Sequence, residues 1–134
     1  MTLVVDTNII FSALVNKNSK IATFLLEPNQ ALVMPKFGFV ELFKHKEKIC
    51  AISKHSQDEI LEILYELMRH IEFFDENSIS ANALKAAWEL VENIDPKDML
   101  FVALAIEVDG LLWTGDKKLC AGLKSKGFDS FHNI

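Results

Sequence analysis

The chain is expected to fold as a parallel, three-layer α/β domain. Three features predict this. Short apolar runs at residues 2–6, 31–34 and 111–114 each end in a polar residue or a proline, as strands buried on both faces do. Segments with apolar residues at helical spacing lie between them, such as Ile60, Leu64, Leu67 and Ile71. Helix caps, prolines and glycines separate the two kinds of segment, and strands alternating with helices give a parallel sheet with right-handed crossovers.

The elements follow in order. The first strand, 2–6, ends at Asp6. A helix at 8–15 turns Ile9, Ile10, Ala13 and Leu14 inward, and Lys17-Asn18-Ser19-Lys20 breaks it. Ser19 can cap a second helix ending near Glu27, which Pro28-Asn29 stops. The strand at 31–34 ends at Pro35, and a helix over 36–50 carries Phe37, Val40 and Phe43 at helical spacing, with Glu41 among them. Ser56-Gln57-Asp58-Glu59 is a capping box opening the next helix, and 71–74 is the third strand. Ser80 caps a helix with Leu84, Ala87, Trp88 and Val91 in period. Asp95-Pro96-Lys97-Asp98 is a helix start, with an acid at the cap and proline at the first helical position. The run 99–106 that follows is apolar all round and therefore belongs in the core, with Gly110 ending its helix. The fourth strand, 111–114, leads to a helix over 117–126 closed by Gly127, and 128–132 is expected as a last edge strand.

The bulk composition excludes several classes. At 134 residues, half hydrophobic and a quarter charged, the chain suits one domain over 1–134 with one core, without a linker, low-complexity tract or repeat. The N-terminus lacks the basic start of a signal peptide, and the longest apolar run is too short to span a bilayer, so an intracellular, cytoplasmic protein is expected. Cys50 and Cys120 form no CxxC pair, and His45, His55, His70 and His132 form no HxxxH pattern, so zinc is disfavoured. The net charge of −5 is not the footprint of a general nucleic-acid binder. Lys36, Lys44, Lys46 and Lys48 nevertheless cluster, and Lys97, Lys117 and Lys118 lie beside acids. A solvated helix face explains the first cluster equally well.

Four acids stand out: Asp6, Glu41, Asp98 and Asp116. Two end strands, and in open α/β sheets ligands bind beyond the carboxyl ends of strands. Each has an ordinary explanation taken alone. Asp6 can end a strand, Glu41 can sit on a rim, Asp98 can serve the helix dipole, and Asp116 can cap a helix. Together they suggest an acidic pocket for a hard, oxygen-liganded cation acting on phosphate. Gly115 is expected to let the backbone turn tightly and bring Asp116 over the sheet edge. A phospho-acceptor receiver would need adjacent acids after the first strand, and a phosphohydrolase of the haloacid-dehalogenase type a second Asp at Asn8; neither is present.

Val5-Asp6-Thr7-Asn8-Ile9-Ile10, Val40-Glu41-Leu42, Asp95-Pro96-Lys97-Asp98 and Trp113-Thr114-Gly115-Asp116-Lys117-Lys118-Leu119, taken in order, resemble the PIN domain, in particular stand-alone prokaryotic, VapC-like ribonucleases. The resemblance covers essentially the whole chain. It implies an α/β/α fold with a parallel sheet in order 3-2-1-4-5, and endoribonuclease activity dependent on Mg²⁺ or Mn²⁺. It carries Asp6, Glu41, Asp98 and Asp116 over as the catalytic and metal-binding acids, and Asn8 and Thr114 as polar residues orienting ligands or water. Asp95 matches an acid of this subgroup, although its capping position explains it equally. Many relatives have a further acid where this chain has Lys117 and Lys118. That departure argues against a fully occupied second metal position and leaves two lysines to grip phosphate. The resemblance also implies an RNA substrate, a homodimer with contact surfaces around 20–27 and 56–70, and an antitoxin protein as partner. The other reading is a degenerate PIN domain that binds RNA or protein without turnover. Phe37, Phe39 and Phe43 have rings able to stack on bases, but their spacing predicts core packing.

Overall fold

The computed structural model describes residues 1–133. β1 (Thr2–Val5), β2 (Ala31–Pro35), β3 (Ile71–Phe74) and β4 (Leu111–Trp113) form one parallel sheet in the order β3-β2-β1-β4. Leu3 registers with Leu32 on one side and Leu111 on the other, and Met34 registers with Phe73. Val4, Val5, Met34 and Leu112 are fully buried, which explains why these strands are apolar runs and not alternating ones.

Helices flank the sheet in two groups. α1 (Thr7–Val15) packs against α2 (Lys20–Leu25), α3 (Phe37–Lys44), α4 (Lys46–Ile52) and α5 (Gln57–His70). α6 (Ala81–Val91) packs on α7 (Met99–Glu107) and touches α8 (Lys117–Ser125). α7 lies against β1, β2 and β4, and Phe101, Val102, Ala103, Leu104 and Ala105 are all buried, as an all-apolar helix requires. The Ser56 capping box and the caps at Ser19 and Ser80 form as expected.

Several expectations need correction. The edge strand over 128–132 reduces to one bridge, Leu112 to Phe131, so the expected order 3-2-1-4-5 is present as 3-2-1-4. β4 is three residues long, and on that side Leu112 alone bonds, donating to the Ser130 carbonyl and accepting from the His132 amide. The helix over 36–50 is two helices that break at His45. The break redirects the chain so that Ile49 is buried, and the Ser53 hydroxyl then ties the end of α4 to the Leu14 carbonyl at 2.8 Å. The inner stripe of α6 is Ala83, Ala87 and Val91; Trp88 lies outside it and is exposed. Small residues on that stripe let α6 approach α7 closely. Pro96–Asp98 forms a 3₁₀ turn, and the α-helix begins after it.

Gly110 acts for a different reason from the one expected. Asp109, not Gly110, takes the left-handed conformation (φ 50°) at the end of α7. The Asp109 amide donates to Ile106 and the Gly110 amide to Ala105, the paired bonds of a Schellman turn. Gly110 is needed because a Cβ there would stand 2.5 Å from the Thr2 carbonyl oxygen. Gly127, with φ 91°, does close α8 by the same paired bonds.

Candidate active site

The parallel sheet places the ends of β1 and β4 side by side. The Asp6 amide donates to the Trp113 carbonyl at 2.9 Å, extending the β1–β4 pairing to the point where both chains turn into helices. Asp6 caps α1 and is buried. Its Oδ1 accepts from the Thr7 amide at 2.7 Å, and its Oδ2 accepts from the Thr114 hydroxyl at 2.7 Å and the Asn8 amide group at 3.2 Å.

Asn8 and Thr114 hold this edge together. The Asn8 side chain also donates to Thr114 Oγ1 at 3.2 Å and accepts from the Gly115 amide at 2.9 Å. Thr114 Oγ1 accepts in turn from the Asp116 amide at 3.1 Å. A Cβ at Gly115 would meet only Asn8, at 3.6 Å, an ordinary contact, and Gly115 does not take a positive φ. Neither backbone conformation nor crowding therefore requires a glycine at Gly115. Asp116 caps α8, accepting from the Leu119 amide at 3.0 Å.

Glu41 reaches the same edge from α3. The Thr7 hydroxyl donates to its Oε1 at 3.0 Å. Gly38, one turn before Glu41, lies against Met34 and Thr7, where a Cβ would collide with the Met34 side chain; the glycine lets α3 sit close over the end of β2. Thr7 is a site residue that sequence reasoning missed. Buried, it bonds Asp6 through its amide and Glu41 through its hydroxyl. The signal available was a hydroxyl beside a strand-ending acid, which alone has no direction.

Asp98 stands at the N-cap of α7 but makes no capping bond. Among the described residues its carboxylate has no hydrogen-bond or ion-pair partner. It is half-buried, and burial pushes its pKa up to about 7, with the charges of Asp6, Asp95, Asp116 and Glu41 adding to the rise. Burial likewise raises Asp6 to about 6; the Thr114 and Thr7 bonds pull against it, and Glu41 and Asp116 push with it. The four predicted acids thus share one electrostatic neighbourhood.

Asp95 caps the 3₁₀ turn by accepting from the Lys97 amide at 3.0 Å, and its charge adds to the rise at Asp98. Lys117 is exposed at the start of α8, without an ion-pair partner among the described residues. Cys120, one turn into α8, feels Asp116 and Asp6, and burial holds its thiol neutral.

Charges interact over a Debye length of about 8–10 Å, whereas ligands of one Mg²⁺ must lie about 2.1 Å from it. Among the described residues no three His, Cys, Asp or Glu side chains stand close enough to cradle an ion as arranged. The donors still fit a hard cation chemically, being carboxylates with adjacent hydroxyl and amide oxygens and no imidazole or thiolate among them.

No curated protein matches the chain. A family model described as PIN domain matches residues 4–133, which include every acid discussed above. The chain therefore belongs to the PIN domain family, whose members are generally nucleases that use divalent metals.

Proposed function

We propose that this protein is an endoribonuclease dependent on Mg²⁺ or Mn²⁺, with Asp6, Glu41, Asp98 and Asp116 as its metal-binding and catalytic acids. The observation that carries the reading is Asp98. A half-buried carboxylate without a hydrogen bond among the described residues, within the field of four other acids, costs stability. Helix capping does not explain it, because it makes no capping bond. A cation would offset the cost.

When bound, the metal lowers the pKa of a water and neutralises charge on the phosphate. The chain's own residues prepare for this. Thr114, Asn8 and the Thr7 amide fix the Asp6 carboxylate. Thr7 turns Glu41 toward Asp6, leaving Glu41 Oε2 free of that bond. Burial and the neighbouring acids raise Asp98 to about 7, and its carboxylate would be one of those holding the metal. Lys117 and Lys118 stand beside Asp116 and suit the phosphate of a bound strand.

The test is cleavage of a mixed-sequence RNA with Mn²⁺ or with EDTA, beside Asp6→Asn. The reading expects metal-dependent cleavage that the variant lacks. Equal cleavage by both proteins means contamination and sinks it. Bound but uncut RNA favours the degenerate binding module.

Two partner proposals accompany this reading. A second copy is expected to dock on α5, where Leu61, Tyr65 and Met68 form an exposed apolar stripe at helical spacing. An antitoxin held over the acidic edge would make the protein the toxin of a pair; a small adjacent gene for a DNA-binding protein would support that. No helix among the described residues is long and apolar enough to cross a membrane.

A further inference from the structure

The outer side of α3 departs from the core packing its spacing predicts. Phe39 is 40% exposed, Val40 47% and Phe43 61%. With Lys36 before them and Lys44 after, they recur at i, i+3, i+4, i+7 and i+8, which makes one exposed stripe on the helix. Lys46 Nζ lies 3.9 Å over the Phe43 ring. Among the described residues the ion pairs are Lys17 with Glu59, His55 with Glu59 and Arg69 with Glu66. None of these neutralises Lys36, Lys44, Lys46 or Lys48.

The stripe begins at the sheet edge that carries the acids. The Lys36 amide donates to the Phe74 carbonyl at 3.1 Å, at the carboxyl ends of β2 and β3. There Lys36, Phe39, Met68 and Phe73 line a recess of about 250 Å³, with the Phe39 and Phe73 rings edge to face at 6.4 Å. That is below the roughly 300–1,000 Å³ of small-molecule pockets and suits one planar ring. Gly38 and Glu41 occupy the inner side of the same helix. α3 is thus a wall with the acidic edge on one side and a basic, aromatic track on the other.

We propose that Lys36, Phe39, Val40, Phe43 and Lys44 hold a single-stranded segment of the RNA cut at the acidic edge, with bases stacked on the two phenylalanine rings and phosphates on the lysines. The inference rests on the nuclease reading above. Charge favours RNA over a partner helix. α3 and the start of α4 present Lys36, Lys44, Lys46 and Lys48 without an ion pair among the described residues, whereas the α5 bank of the adjoining apolar groove of about 700 Å³ is Gln57, Ile60, Leu61 and Leu64. Unpaired lysines beside exposed rings attract a polyanion, and the uncharged α5 bank gives its phosphates no partner. A protein helix in the groove would instead use both banks, including Leu61 and Leu64.

The experiment is fluorescence anisotropy of a short fluorescein-labelled single-stranded RNA in EDTA, with cleavage of the same RNA in Mn²⁺ as a separate readout. Phe39→Ala and Phe43→Ala should each weaken binding roughly tenfold. Phe43→Leu should also weaken it, since it keeps the apolar contact and loses the ring. Lys36→Gln with Lys44→Gln should lower the slope of log affinity against log salt by about 1–1.5. Trp88→Gln, an exposed aromatic on α6, should leave RNA affinity unreduced. Circular dichroism melts confirm folding, which these exposed positions should preserve. Unchanged affinity in the phenylalanine variants, with wild-type cleavage intact, overturns the track and leaves the nuclease reading standing. Track-dependent binding without wild-type cleavage does the reverse. No RNA binding by wild type overturns the track, as does a drop in mass by light scattering in the phenylalanine variants that matches their loss of affinity, which identifies a protein-docking face.

Discussion

The two sides of α3 solve opposite problems. The inner side is polar and buried, and almost every group there has a partner: Thr7 bonds Asp6 and Glu41, and Thr114 bonds Asp6, Asn8 and Asp116. The outer side is apolar and exposed: Phe39 meets Phe73 edge to face, and Val40 and Phe43 stand largely in water. On the inner side burial and neighbouring carboxylates push the Asp6 and Asp98 pKa values up. The outer side leaves apolar surface in water. On the readings proposed above, a cation offsets the first cost and RNA the second.

The sharpest way to break this contrast is Asp6→Asn. Cleavage should fall more than about a hundredfold, because even outer-shell changes at metal sites cost about 10–100-fold. The same variant should melt no lower than wild type in EDTA, since it removes one of the repelling charges. A large loss of melting temperature would mean that Asp6 is structural.

The pH dependence tests the strain directly. Unfolded, Asp6 titrates near 3.8; folded, near 6. Below 3.8 it is protonated in both states and carries no penalty. Between these values the folded state keeps a proton that the unfolded state has lost, so raising the pH favours unfolding. Stability in EDTA should therefore fall from about pH 4 to 6 by on the order of 2–3 kcal/mol from Asp6. Asp98 extends the window to about 7, with a contribution reduced by solvent screening. Mn²⁺ should flatten the fall. Denaturant melts at several pH values measure both effects, and a stability that rises over this range would refute the strain.

Thr7 sharpens the contrast from within. Thr7→Val should weaken Mn²⁺ binding about tenfold by isothermal titration and cost roughly 1 kcal/mol of stability. Thr7→Ser should restore the affinity, because it returns the hydroxyl to Glu41. If serine fails to rescue, Thr7 acts through packing alone. The smallest effects are expected at exposed apolar positions: Val40→Ser on the outer side of α3 or Trp88→Gln on α6 should change stability by no more than about 0.5 kcal/mol, measured by urea denaturation.

Much of this was legible in the chain. The strands 2–6, 31–34 and 71–74 and the helices opened by Ser56 and Ser80 follow from local rules, namely apolar runs, caps and helical spacing. The edge strand was misread because strand length depends on its partner, and β4 offers one residue for pairing. The α3 phenylalanines were misread because spacing gives a stripe but not its direction. Gly38, tight against Met34 and Thr7, fixes the direction by putting the other side of α3 against the sheet end. Gly110 was noticed for the wrong reason, since its neighbour in space is Thr2, more than a hundred residues away in the chain.

The sequence alone determined which segments become strands and helices, and that Asp6 follows a strand and Asp116 starts a helix, because these depend on neighbours within a turn or two. Tertiary structure decided that Asp98 has no partner among the described residues, that Thr7 joins two acids, and that the rings of α3 face water. Those outcomes depend on distances between segments far apart in the chain, and no local pattern encodes such distances.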